Sequence, residues 1–189
     1  MIFDTYYNLI YFSLFFCTIL VYLVYDLFRK RSVELNYFIS FSFILVLIFF
    51  VGFRDFKVGV DTENYAISIQ ELKEMLDGKD PGFFAVSIFF HWLTTIKGVI
   101  FLYSLTFFSL FFIFLIRYDK KNTLLLLFLF SSFFFFKSLS INIVRQGISI
   151  SAILLAFSSS IHKKNKQTLL WFIIGISIHL TSLIFFLIY

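Results

Sequence analysis

A chain of 189 residues with 60% apolar side chains, a mean hydropathy of +0.94 and only 14% charged residues is too apolar for a soluble globular domain. The net charge of +5 does not point to nucleic acid, because the basic residues fall in short clusters between apolar runs, the pattern that orients membrane proteins. One cysteine, Cys17, inside an apolar run, excludes an internal disulfide and reads as a small hydrophobe.

Uncharged runs cover residues 5–25, 35–53, 81–96, 98–116, 122–136, 146–162 and 167–189. A membrane-crossing helix needs roughly 20 apolar residues. Runs 5–25, 35–53, 98–116 and 167–189 meet that length. The first has no basic leader or small-residue cleavage site and follows Asp4, so it reads as a retained span. Arg29-Lys30-Arg31 behind it forms a cytoplasmic stop, which puts the N-terminus outside.

Residues 54–80 follow the second span and are strongly polar. They hold Asp55, Asp61, Glu63, Glu71, Glu74, Asp77 and Asp80, seven of the chain's eleven carboxylates, with Arg54, Lys57, Lys73 and Lys79. Unsatisfied polar groups cost several kcal/mol each in lipid, so this loop belongs in water or at the membrane surface. Gly59 supplies a turn, and Asp61 or Thr62 is a candidate N-cap for an amphipathic helix over 63–77. Tyr65, Ile69, Leu72 and Leu76 make its apolar stripe, most simply laid in the headgroup region.

Two later loops are basic: Arg117, Lys120 and Lys121, then Lys163, Lys164 and Lys166. Both face the cytoplasm if 81–96 enters the membrane without crossing. That run is 16 residues long and contains His91, Trp92, Thr94 and Thr95, so a re-entrant or half-inserted helix is expected. The expected fold is an all-α integral membrane protein: a single multi-span helical bundle over 1–189 with an outward-facing loop at 54–80. Its spans are about 5–28, 35–53, 98–116, 122–140, 146–162 and 167–189, with 82–96 re-entrant or a short span.

That topology turns 137–145 outward, toward the loop 54–80. Asn142, Arg145, Gln146 and Ser149 recur at helical spacing, and such a polar stripe turns toward a bundle interior or wet cavity. Arg54, Asp61, Asp80 and Arg145 can then meet at one mouth. Arginine's planar fork matches phosphate oxygens in pairs. Fixed positive charge suits a leaving diphosphate, and the helix N-terminus after Asp61-Thr62 would add N–H donors. Asp61 or Asp80 could take a proton from an attacking hydroxyl. Each has a plain alternative: Arg54 as a headgroup snorkeller, Asp61 as a cap, Asp80 as a helix start before Pro81. His179 serves either as a catalytic group or as a polar link between helices. No Walker loop, nucleophile elbow or metal-ligand spacing is present, so no metal or other cofactor is expected.

Arg54-x4-Gly59-x-Asp61-Thr62-x-x-Tyr65, then Asp80-Pro81-Gly82-Phe83 and Val144-Arg145-Gln146, resembles the EpsG-like family of polysaccharide polymerases, related to Wzy-type O-antigen polymerases. The resemblance covers about residues 38–189. It implies an all-helical glycosyltransferase of the bacterial cytoplasmic membrane that joins undecaprenyl-diphosphate-linked oligosaccharide units into exopolysaccharide, capsule or O-antigen. The implied partners are that lipid-linked oligosaccharide, the bilayer and other polysaccharide-assembly membrane proteins, with no nucleic acid. The candidate catalytic residues are Asp61, Asp80 and His179, and the candidate substrate contacts are Arg54, Arg145, Gln146, Tyr65, Thr62 and Asn142. Asp80 stands where the family commonly has glutamate, and Ser149 where alanine is usual. The family continues with further spans, so this chain is expected to be a piece of a longer protein; a transporter of lipid-linked sugars or a non-catalytic remnant are the alternatives.

Overall fold

The computed structural model describes residues 33–59, 61–70, 80–132 and 134–188, together with 8, 9, 12, 13, 16, 17, 19, 20, 23 and 24. No strand occurs among them. The elements are α1 (Val33–Gly52), α2 (Thr62–Gln70), α3 (Pro81–Leu93), α4 (Ile96–Tyr118), α5 (Thr123–Ser132), α6 (Phe134–Ile141), α7 (Val144–Ile161), α8 (Asn165–Ile178) and α9 (Leu183–Ile188). Short 3-10 turns, Lys120–Asn122 and Leu180–Ser182, precede α5 and α9. The protein is a helical membrane protein: α1, α4 and α7 are each long and apolar enough to cross a bilayer. The expected first span and the distal part of the amphipathic helix, 71–79, lie largely outside the described residues.

Phenylalanine builds the core. Phe107, Phe108, Phe111 and Phe114 of α4 are buried, and Phe107, Phe108 and Phe111 pack edge or tilted against Phe136 of α6. α4 lies between α1 and α7. Asn36 near the start of α1 donates to the Lys121 carbonyl and accepts from the Leu124 N–H, which ties α1 to the turn after α4. At the same end His162 Nε2 stands 2.9 Å from the Arg117 carbonyl oxygen. Arg117, Lys120, Lys121, Lys163, Lys164 and Lys166 therefore gather at one end of the bundle, and Arg54, Asp80, Arg145 and His179 at the other.

Two expected spans are interrupted. Lys120–Ser132 and Phe135–Ile141 meet at 85°, so the run 122–140 is a bent pair. The run 167–189 breaks after Ile178, where His179 is extended at φ −154° and ψ 114°. The apolar pattern is continuous through both breaks, so hydropathy alone does not reveal them. The second break has a chemical cause: a distant carboxylate captures the Leu180 N–H. Asn142 and Ile143 likewise separate α6 from α7, so Asn142 precedes the helix that carries Arg145 and does not share its stripe.

The aspartate, arginine and histidine cluster

Asp80 precedes Pro81, and proline at the first position presets the α3 backbone. The Asp80 carbonyl accepts from the Phe84 N–H, so its backbone does start the helix. Its carboxylate makes no cap to α3 and turns to two other elements. Oδ1 accepts from the Leu180 N–H at 2.9 Å. Oδ2 lies 2.9 Å from Arg145 Nη1 and 3.1 Å from His179 Nδ1. Gly82 permits this reach: a Cβ there would fall 2.7 Å from the Ser177 backbone carbonyl carbon, so only glycine lets α3 close onto the end of α8.

Burial alone would raise the Asp80 pKa, but the Leu180 N–H, His179 and Arg145 outweigh it and hold the carboxyl below its usual value. Asp80 is 7% exposed and His179 14%, while Arg145 is 38% exposed. Arg145 is the second residue of α7, where the helix dipole disfavours a cation. Asp80 supplies the compensating charge, and Phe83 lies under the guanidinium at 5.9 Å. With Asp80 ionised, the proton of a neutral His179 sits on Nδ1, and Nε2 is left as an acceptor.

Tyr65 joins this cluster from α2. Its ring packs on Phe83 and Tyr103. Burial raises its pKa; the charge of Arg145 opposes that and Asp61 adds to it. α2 thus rests on α3 and α4 with Ile69 buried.

Arg54 and Thr62 play a different part. Arg54 is 6% exposed. Its Nε donates to Thr62 Oγ1 at 3.2 Å, Nη1 to the Val51 carbonyl at 2.8 Å and to Ser104 Oγ at 3.4 Å, and Nη2 to the Ile141 carbonyl at 3.3 Å. Thr62 Oγ1 also donates to the Ile141 carbonyl. Both side chains hold the end of α6, three residues before α7. Gly59 presses on the same turn at φ +90°; a Cβ there would lie 2.9 Å from Asn142 Oδ1 and from Ile141 Cγ2. Asp61 is half-exposed, and its carbonyl accepts from the Tyr65 N–H to open α2. Gln146 is half-buried in the first turn of α7.

The structure therefore brings Asp80, Arg145 and His179 into contact with Tyr65 alongside, and groups Arg54, Thr62 and Asn142 around the turn that precedes Arg145. Sequence reading placed Ser149 on the polar stripe but gave it no role. Its Oγ donates to the Gly175 carbonyl at 2.6 Å and bonds Ser182, tying α7 to both sides of the His179 break. A serine in place of the usual alanine was the signal for it.

No curated protein and no solved structure matches the chain. The model of the EpsG family matches residues 36–189, and the chain belongs to that family.

Proposed function

We propose that this chain carries the acceptor-activating and diphosphate-binding part of a membrane polysaccharide polymerase, one that joins undecaprenyl-diphosphate-linked repeat units at the outer face of the bacterial cytoplasmic membrane. Family membership supports the polymerase role. The single observation that carries the mechanism is Asp80 holding both Arg145 and His179 on one carboxylate oxygen.

In this reading His179 is the base. Asp80, held ionised, fixes the Nδ1–H tautomer, so Nε2 accepts the proton of an attacking sugar hydroxyl. The hydroxyl oxygen bonds to the anomeric carbon as that carbon's bond to the phosphate oxygen breaks. The electron pair leaves with the lipid diphosphate, and the half-exposed Arg145 guanidinium stabilises the charge that develops there. Asp80 itself is a poor base here, because its lone pairs already serve Leu180, His179 and Arg145.

The test is complementation of a strain deleted for the gene, with surface polysaccharide sized on gels. His179→Gln keeps a donor for Asp80 but cannot take up a proton. Single repeat units without long polymer, at normal protein level, are expected. Long polymer from His179→Gln at the parental rate would remove the base from this mechanism.

A further inference from the structure

α3 is apolar, 13 residues long, and divided into two faces. Phe83 and Ser87 are buried, and Phe83 and Phe90 pack on Tyr103 of α4. Ile88, Phe89, Trp92 and Leu93 share the opposite face and are exposed, Trp92 by 80%. Both ends of α3 stand at the same end of the bundle. Its start holds Asp80, and just past its end Lys97 lies 5.7 Å over the ring of Phe56, two residues beyond Arg54.

Helix rise fixes the depth of these groups. At 1.5 Å per residue, Asn36 to Val51 in α1 spans about 22 Å and Arg145 to His162 about 26 Å. Both fall short of a hydrocarbon core of about 30 Å. α4, with 23 residues, is about 35 Å long and outruns that core. Counting about 20 residues back from Tyr118, at the basic end, reaches Gly98, beside Lys97 and the α3–α4 turn. Ser104, which touches Arg54, lies about 9 Å below Gly98 along the helix.

We propose that α3 and the first turns of α4 form a hairpin embedded in the leaflet on the site side. Ile88, Phe89, Trp92 and Leu93 face lipid, and Trp92 lies at the boundary between acyl chains and headgroups. Two observations name lipid as the occupant: the exposed face is wholly apolar, and it ends in Trp92, five residues before Lys97, the residue types that anchor chains at membrane interfaces. The hairpin then walls the Asp80–Arg145–His179 cluster against the bilayer. This assignment needs only a membrane-embedded chain and stands apart from the polymerase reading.

Trp92 and Trp171 are the two tryptophans of the chain. The full chain and its Trp92→Phe variant, reconstituted in phosphatidylcholine–phosphatidylglycerol vesicles, give the Trp92 emission by difference and leave Trp171 untouched. Phosphatidylcholine brominated near the headgroup should quench that emission more than phosphatidylcholine brominated near the bilayer centre, and aqueous iodide should quench it little. Stronger quenching by iodide would put the face in water. Insensitivity to both bromolipids and iodide would mean that protein, a second copy or another segment, covers it. Stronger quenching by the deep bromine would misplace the hairpin. Each of these three results overturns the proposal, and none depends on polymer synthesis.

Discussion

The carboxylate of Asp80 takes the backbone N–H of Leu180, a hundred residues away, at 2.9 Å. The bond caps a broken helix from outside it and holds His179 extended beside the same carboxylate. Asp80 therefore has two separable duties, as an acceptor and as a charge.

Asp80→Asn separates them. The amide oxygen can still accept from Leu180, so the break should keep its shape, while Arg145 loses its counter-ion and His179 its orienting anion. Normal protein level with loss of long polymer is expected. Asp80→Ala also orphans the Leu180 N–H, at about 1 to 3 kcal/mol, and should accumulate less protein. Blots of membranes and gels of surface polysaccharide read the two effects.

The charge duty has a pH signature. The folded-state pKa of Asp80 is lowered, so its ion interactions stabilise the fold fully above the unfolded-state value, about 3.9, and are lost as pH falls through the folded one. Thermal unfolding in detergent should show a constant gap between the parent and Asp80→Asn above about pH 5 that closes below about pH 4. A gap that widened in acid would mean that Asp80 is not the stabilising anion.

Arg54 is the residue whose setting differs most from a ligand's. Lysine cannot reproduce a fork that reaches Thr62, Val51, Ser104 and Ile141 together. Arg54→Lys should cost about 2 to 3 kcal/mol, which lowers the melting temperature by about 5 to 10 °C. The Michaelis constant of the surviving protein should stay near the parent's. A raised Michaelis constant with unchanged melting would make Arg54 a substrate contact instead.

Much of this was legible in the sequence. The polar motifs around Arg54, Asp80 and Arg145 do share one end of the bundle, because charged residues among apolar helices have few places to go. The division within them was not legible. Whether an arginine faces a cavity or two backbone carbonyls and two hydroxyls depends on where the α6–α7 turn falls, and nothing in a run such as Phe134–Ile141 marks that turn. The His179 break was hidden for the same reason: its cause lies at Asp80, in another helix. Gly59 and Gly82 were the readable traces, since each stands where a Cβ would strike a neighbour.

Gly59→Ala tests the turn itself. A non-glycine residue at φ +90° costs about 1 to 2 kcal/mol, and the added Cβ must also displace Asn142 and Ile141. Asparagine tolerates positive φ better, yet its Cβ meets the same atoms. Equal destabilisation of Gly59→Ala and Gly59→Asn in thermal melts is expected if crowding dominates. A clearly milder Gly59→Asn would assign the cost to the backbone angle alone.

Arg145 decides between diphosphate binding and simple neutralisation of Asp80. Its Nη1 faces Asp80, and the side chain is 38% exposed. Arg145→Lys keeps the charge and the ion pair but offers a point donor. If Arg145 only balances Asp80, lysine should serve nearly as well and the melting temperature should report the whole effect. If paired hydrogen bonds hold a leaving diphosphate, the swap removes a preorganised donor, worth about 2 to 4 kcal/mol of transition-state stabilisation. That is roughly a 30- to 1000-fold fall in polymerisation rate, with melting within a few degrees of the parent. Membranes supplied with lipid-linked repeat units, with expression matched by blot, give the rate. Polymer made at the parental rate by Arg145→Lys would leave Arg145 as the partner of Asp80 and nothing more.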